Sequence, residues 1–207
     1  MKNAARIVAV WSAFAGYALM IGMIVWAGAV WPGYDHLRQF ISELGATGAP
    51  NGQTFSLWGF IVPGVLLMVF SVAACLALPR TAASFIGFAL ILLFASGAFF
   101  GGVYPCDIGC VTDGGSESQK MHELLGLGGY LTAPLALLLV GLASRRWPGA
   151  AALFPLGLVG AAIAAVAMPL MVMDIEFDGA AQRALEGVMA LWVLSCAAYM
   201  ALRGKAT

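Results

Sequence analysis

Charge is what this chain has least of. Of its 207 residues, 10% are Asp, Glu, Lys or Arg, while 62% are hydrophobic. A soluble domain usually carries about 25% charged residues. The deficit excludes an ordinary water-exposed globule and points to a polytopic membrane protein. Ten basic and ten acidic residues cancel. No basic cluster is interleaved with aromatics, so nucleic acid is not an expected partner. There are two histidines, His36 and His122, and no HxxxH or HExxH spacing. That leaves little for a protein-built zinc site, and no metal is expected. The GxSxG elbow, the CxxC pair, low-complexity tracts and internal repeats are absent as well. No ionisable residue falls near the middle of an apolar run. That counts against an ion-coupled carrier and leaves a passive transporter or channel as a third-ranked reading.

What is present is apolar length. Six runs reach the ~20 residues that a bilayer-spanning helix needs: 7–30, 57–78, 83–104, 122–143, 150–172 and 184–202. They predict an all-α, single-domain bundle of six transmembrane helices over residues 1–207. The first run follows Lys2 and Arg6 and contains "AGA" at 27–29. It exceeds the roughly 7–15 apolar residues of a signal peptide, so a retained first helix is expected. Trp31, Trp58 and Trp147 fall near run ends, where interfacial anchors sit. "GAFFG" at 97–101, "GLGG" at 126–129 and "GLVGAAIAA" at 157–165 have the small-residue spacing that lets helices approach closely.

The linkers alternate in charge. Lys2, Arg6, Arg80, Arg145, Arg146, Arg203 and Lys205 share one side with no acid. The other side holds Arg38, Lys120, Arg183 and all ten acids, Asp113 and Asp174 among them. The positive-inside rule then predicts a multi-pass protein of the cell membrane with both termini cytoplasmic. Linkers 32–56, 105–121 and 173–183 would be extracytoplasmic.

Three polar stretches share that predicted outer side. "YDHLRQFISELGATGAPNG", residues 34–52, carries Asp35, His36, Ser42 and Glu43. Its apolar residues Leu37, Phe40, Ile41 and Leu44 recur at helical spacing before Gly45. This predicts a short amphipathic outer interfacial helix with His36 and Glu43 on one face. "YPCDIGC" and "SQKMHELLG" bring Asp107, His122 and Glu123, with Gly126 and Gly129 on the His122 face. "DIEFDGAAQRALEG" sets Arg183 and Glu186 at the start of the sixth run. The ligand-binding candidates are therefore Asp35, His36, Glu43, Asp107, His122, Glu123 and Arg183. For acid–base or nucleophilic work the candidates are His36, Ser42, Glu43 and His122. Arg183 with a histidine fits a phosphate or headgroup, and pairing of Arg183 with Glu43 or Glu186 is the plainer alternative. Cys106 and Cys110 stand four apart on the oxidising side with Gly109 to turn the chain, and a disulfide is expected. Cys75 and Cys196 read as small buried hydrophobes.

Taken together, "FISELGATGAPNG", "YPCDIGC", "MHELLG" and "QRALEGVMALW" resemble the bacterial and archaeal membrane family named domain of unknown function 998. The resemblance covers nearly the whole chain. More distantly, "FISELGATGAP" and the fourth-run histidine look like the six-span DRAM/Frag/Sfk group, associated with autophagy, lipid organisation and GPI-anchor remodelling. The first likeness implies a six-helix bundle and no established reaction. The matching positions are Ser42, Glu43, Gly45, Pro50 and His122. The leading reading is a protein that binds or organises membrane lipid, or other membrane proteins, through a polar extracytoplasmic site. The alternative is a lipid-modifying or hydrolytic enzyme using His36, Glu43 and His122.

Overall fold

Away from water, an apolar run must satisfy its backbone N–H and C=O groups within itself, and the α-helix does so. The computed structural model describes residues 2–110, 115–173 and 176–203. Asp113, Asp174 and Lys205 lie outside the described residues. Six helices are long and apolar enough to cross a membrane: α1 Lys2–Val30, α2 Gly52–Ala77, α3 Ala82–Val103, α4 Glu117–Ser144, α5 Leu153–Leu170 and α6 Asp178–Arg203. Each overlaps one predicted run. Among the described residues there is no strand, only an isolated bridge between Thr47 and Asp107.

Four helices begin well before their predicted runs: α1 at Lys2, α2 at Gly52, α4 at Glu117 and α6 at Asp178. Their first turns are polar, so hydropathy assigns them to linkers. Ser116 caps α4, its side chain accepting from Gln119 N–H. At the opposite end of α3, Thr81 and Ser84 form a reciprocal capping box. Helix α2 widens to a π-turn over Ser56–Ile61. Pro63 has no N–H for the Gly59 carbonyl, and its ring crowds that carbonyl; the wider turn relieves both.

Neighbours in sequence are neighbours in space, and α6 returns to pack on α1. The six helices thus form a closed ring, with α4 and α6 also touching across it. Small residues set the spacing. A Cβ on Gly157 of α5 would stand 2.7 Å from the Gly141 Cα of α4, and one on Gly97 of α3 would stand 3.3 Å from the Gly129 Cα of α4. The interior is filled by Phe70, Phe88, Leu137, Met189 and Trp192, each essentially inaccessible.

Trp147 departs from the expected interfacial role. It is buried, with its ring stacked 6.3 Å from Phe88 at 5° between planes, and it also packs on Trp192 and Tyr199. Trp58 does face outward. The links at 78–81 and 145–152 lie at the end of the ring that carries Lys2 and Arg203, here the basic end. Residues 31–51, 104–110, 115–116, 171–173 and 176–177 lie at the other, acidic end.

Candidate functional site

The segment 34–45 roofs the acidic end, and its helical spacing does not become an α-helix. Side chains take the hydrogen bonds that a helix would need. Asp35 Oδ1 accepts from Leu37 N–H at 2.8 Å, and Gln39 Oε1 accepts from Asp35 N–H at 2.9 Å. Glu43 accepts from Phe40 N–H at 3.0 Å and from Gln39 Nε2 at 2.8 Å. Ile41 N–H donates to Gln182 Oε1 of α6 at 2.5 Å. The result is a run of turns ending in a 3-10 turn, Ser42–Gly45, all four residues buried. This competition of short polar side chains with helical bonding is general.

The second loop clamps the roof. Cys106 and Cys110 form a disulfide with Cα atoms 5.1 Å apart. Thr47 N–H donates to Cys106 C=O at 2.8 Å. Ser42 Oγ lies 3.4 Å from Cys110 Sγ. A disulfide sulfur has no proton, so the serine hydroxyl is the donor there. Asp107 accepts from Ser116 N–H and Oγ at 2.7 and 2.9 Å, and Asp107 N–H donates to Gln119 Oε1. Gln119 Nε2 in turn donates to Glu123 Oε1 at 2.5 Å. Asp107 and Glu123 are thus engaged in fastening the loop to α4.

Arg183 organises the rim. It donates to Gln39 and Gly179 carbonyls at 2.8 and 3.0 Å, to Tyr34 OH at 2.7 Å and to His36 Nδ1 at 3.1 Å. It pairs with neither Glu43 nor Glu186; the guanidinium faces the roof instead. A guanidinium only donates, so His36 Nδ1 carries the lone pair and Nε2 the proton. Partial burial, then the nearby Arg183 charge, lower the His36 pKa, against an opposing pull from Asp35. Burial likewise raises the Tyr34 pKa, against the Arg183 charge. Asp35 and Glu176 both pair with Arg38, at 3.6 and 2.6 Å.

Beneath the roof lies a cavity of about 40 Å³, space for roughly three waters. Its polar wall is Ser42, His122, Tyr130, Gln182 and Glu186; Phe60, Phe94 and small residues of α3 complete it. His122 Nδ1 sits 2.8 Å from the Tyr104 carbonyl. A carbonyl only accepts, so Nδ1 carries the proton, and the neutral ring keeps a lone pair on Nε2. Gln182 Nε2 donates to Tyr130 OH at 2.8 Å, and Tyr130 OH donates to Glu186 Oε1 at 3.0 Å. Glu186 Oε2 is buried with no hydrogen-bond partner among the described residues.

The sequence candidates therefore separate. Ser42 and His122 share the cavity; His36, Asp35 and Arg183 lie in the rim; Glu43 is spent on the roof's own backbone. Neither His36 nor Glu43 lines the cavity. Sequence reasoning missed Tyr130, Gln182 and Glu186. It set Glu186 at the start of a run opening at 184, whereas α6 opens at Asp178. Eight residues at 1.5 Å each put Glu186 about 12 Å down the helix. The signal was there in the spacing: His122, Gly126 and Tyr130 at i, i+4, i+8, and Gln182 and Glu186 at i, i+4.

Six apolar helices closed into a ring, long enough to span a bilayer, make this a multi-pass membrane protein. It belongs to the family described as Protein of unknown function (DUF998), which matches residues 14–199. No curated protein and no solved structure matches the chain significantly. The likeness to the DRAM/Frag/Sfk group rests on the motifs alone.

Proposed function

We propose that this protein binds membrane lipid in the outer leaflet of the cell membrane, seating part of the headgroup in the cavity under the 34–45 roof. The orientation follows from the charge bias of the linkers, with both termini in the cytoplasm and the acidic end outside. The observation that carries the reading is Glu186 Oε2, a buried carboxyl oxygen left without a partner among the described residues, in the cavity that His122 also lines. Burying such a group without a partner costs of order 1–3 kcal/mol or more. Ionisable residues inside helical membrane proteins ordinarily face a pathway or a ligand. A binding role also suits the division of the other candidates, since His36, Glu43 and His122 each have separate partners.

The test is lipid retained by purified protein, counted by native mass spectrometry after stepwise delipidation. Wild type and Lys120→Ala should keep lipid equally. Glu186→Gln and His122→Ala should each lose it at least threefold more readily. Equal retention by all four proteins sinks the reading.

A further inference from the structure

Resting on that lipid-binding reading, we infer that the group seated in the cavity is a primary ammonium, the headgroup amine of an ethanolamine-type lipid. The inference comes from counting donors against acceptors. The donors in the polar wall are spent, save one of the two amide N–H groups of Gln182. Gln182 Nε2 goes to Tyr130, Tyr130 OH goes to Glu186 Oε1, His122 Nδ1–H goes to Tyr104 C=O, and the Ser42 hydroxyl faces the disulfide sulfur. Against that single N–H stand three acceptors: Glu186 Oε2, the Ser42 oxygen and, in the neutral ring, His122 Nε2. A phosphate or carboxylate would bring several acceptors to a wall with one amide N–H to offer them. The balance of the wall favours a ligand that donates.

Charge narrows the choice further. The ion pairs among the described residues are Arg38–Asp35, Arg38–Glu176 and Lys120–Glu117, and none reaches Glu186. The one guanidinium on the same helix stretch, Arg183, is turned to Tyr34, His36 and the roof carbonyls. A carboxyl buried in a bundle stays charged only beside a cation. An ammonium supplies three N–H donors and one positive charge on a compact head. Space selects in the same direction. About 40 Å³ admits a head of about three to four heavy atoms, on the measure of one water per 10–15 Å³. That suits an ammonium with its first methylenes. A trimethylated ammonium is larger and has no N–H to give. The phosphate of the same lipid would stay outside the cavity.

The experiment uses full-length protein in nanodiscs of phosphatidylcholine doped with phosphatidylethanolamine or phosphatidylglycerol, with lipid retention read after extraction. A parallel arm titrates the detergent-solubilised protein with ethylamine and tetramethylammonium, read by tryptophan fluorescence. The expected result is enrichment of phosphatidylethanolamine over the other two by roughly tenfold, the scale of one charge-assisted hydrogen bond. Glu186→Gln should erase that preference, and ethylamine, not tetramethylammonium, should compete. Equal retention of all three headgroups by wild type overturns the ammonium assignment and leaves the lipid reading standing. Retention of no lipid, with ethylamine still binding in a Glu186-dependent way, upholds the ammonium and moves its source to a soluble amine. No lipid and no ethylamine binding overturns both. The wild-type headgroup series decides the matter even where Glu186→Gln fails to fold.

Discussion

Two glycines show how differently one residue type can be used. A Cβ on Gly179 would overlap the Gln39 carbonyl oxygen and stand 2.9 Å from Arg183 Nη1. A Cβ on Gly128, in α4, would meet nothing within 4 Å. Gly179→Ala should therefore destabilise by about 1–3 kcal/mol, the usual cost of overpacking. Gly128→Ala should be neutral or gain up to about 1 kcal/mol of helix propensity. Thermal midpoints in one detergent compare them, and equal midpoints would refute the close approach of the roof to α6. His36 offers a second residue-scale check. Protonating Nδ1 would break its bond from Arg183, so the ring should titrate below the usual histidine value of about 6.5. The sign follows: the fold gains nothing from this group at high pH and loses stability as pH falls through the unfolded value. An NMR titration of the imidazole should show the low midpoint, and Arg183→Gln should raise it. A midpoint at or above the ordinary value contradicts the arrangement.

At the level of elements, the six spans were legible because twenty apolar residues in sequence have few other fates. Their beginnings were less so. Glu117–Met121 and Asp178–Arg183 are helical by capping and tertiary contact rather than by hydropathy. That misplacement hid Glu186. The roof misled in the opposite way. Leu37, Phe40, Ile41 and Leu44 are spaced for a helix, yet Asp35, Gln39 and Glu43 offer the backbone shorter-range partners. Spacing records which side chains are apolar, and it cannot weigh a carboxylate already poised over an N–H. Ser42 and His122 were legible as polar groups, but their meeting with Gln182 and Glu186 depends on how α4 and α6 lie in the ring. The clamp of the roof can be measured. Closing a loop this short by a disulfide is worth about 2 kcal/mol in the chain-entropy account. Cys106→Ala/Cys110→Ala should lower stability by that order and quicken hydrogen exchange at the Ile41 and Thr47 amides. Unchanged exchange there would mean that the disulfide holds only its own loop.

For the whole molecule, the decisive property is which end faces out. Lys2 lies at the basic end and Lys120 at the acidic end, its side chain 61% exposed. A membrane-impermeant amine reagent added to intact cells should label Lys120 and spare Lys2; the reverse pattern would invert the proposed topology. The ring itself bears on how the protein is made. Ile41 N–H waits for Gln182, and Tyr34 and Gln39 wait for Arg183, partners 141 to 149 positions later in the chain. The loop after α1 is therefore completed by a helix made five helices later. Until α6 inserts, the first loop lacks these partners and the cavity lacks its Gln182–Glu186 wall. A chain stopped short of α6 would carry an unfinished loop at its acidic end throughout, a visible difference between a partial chain and a completed ring.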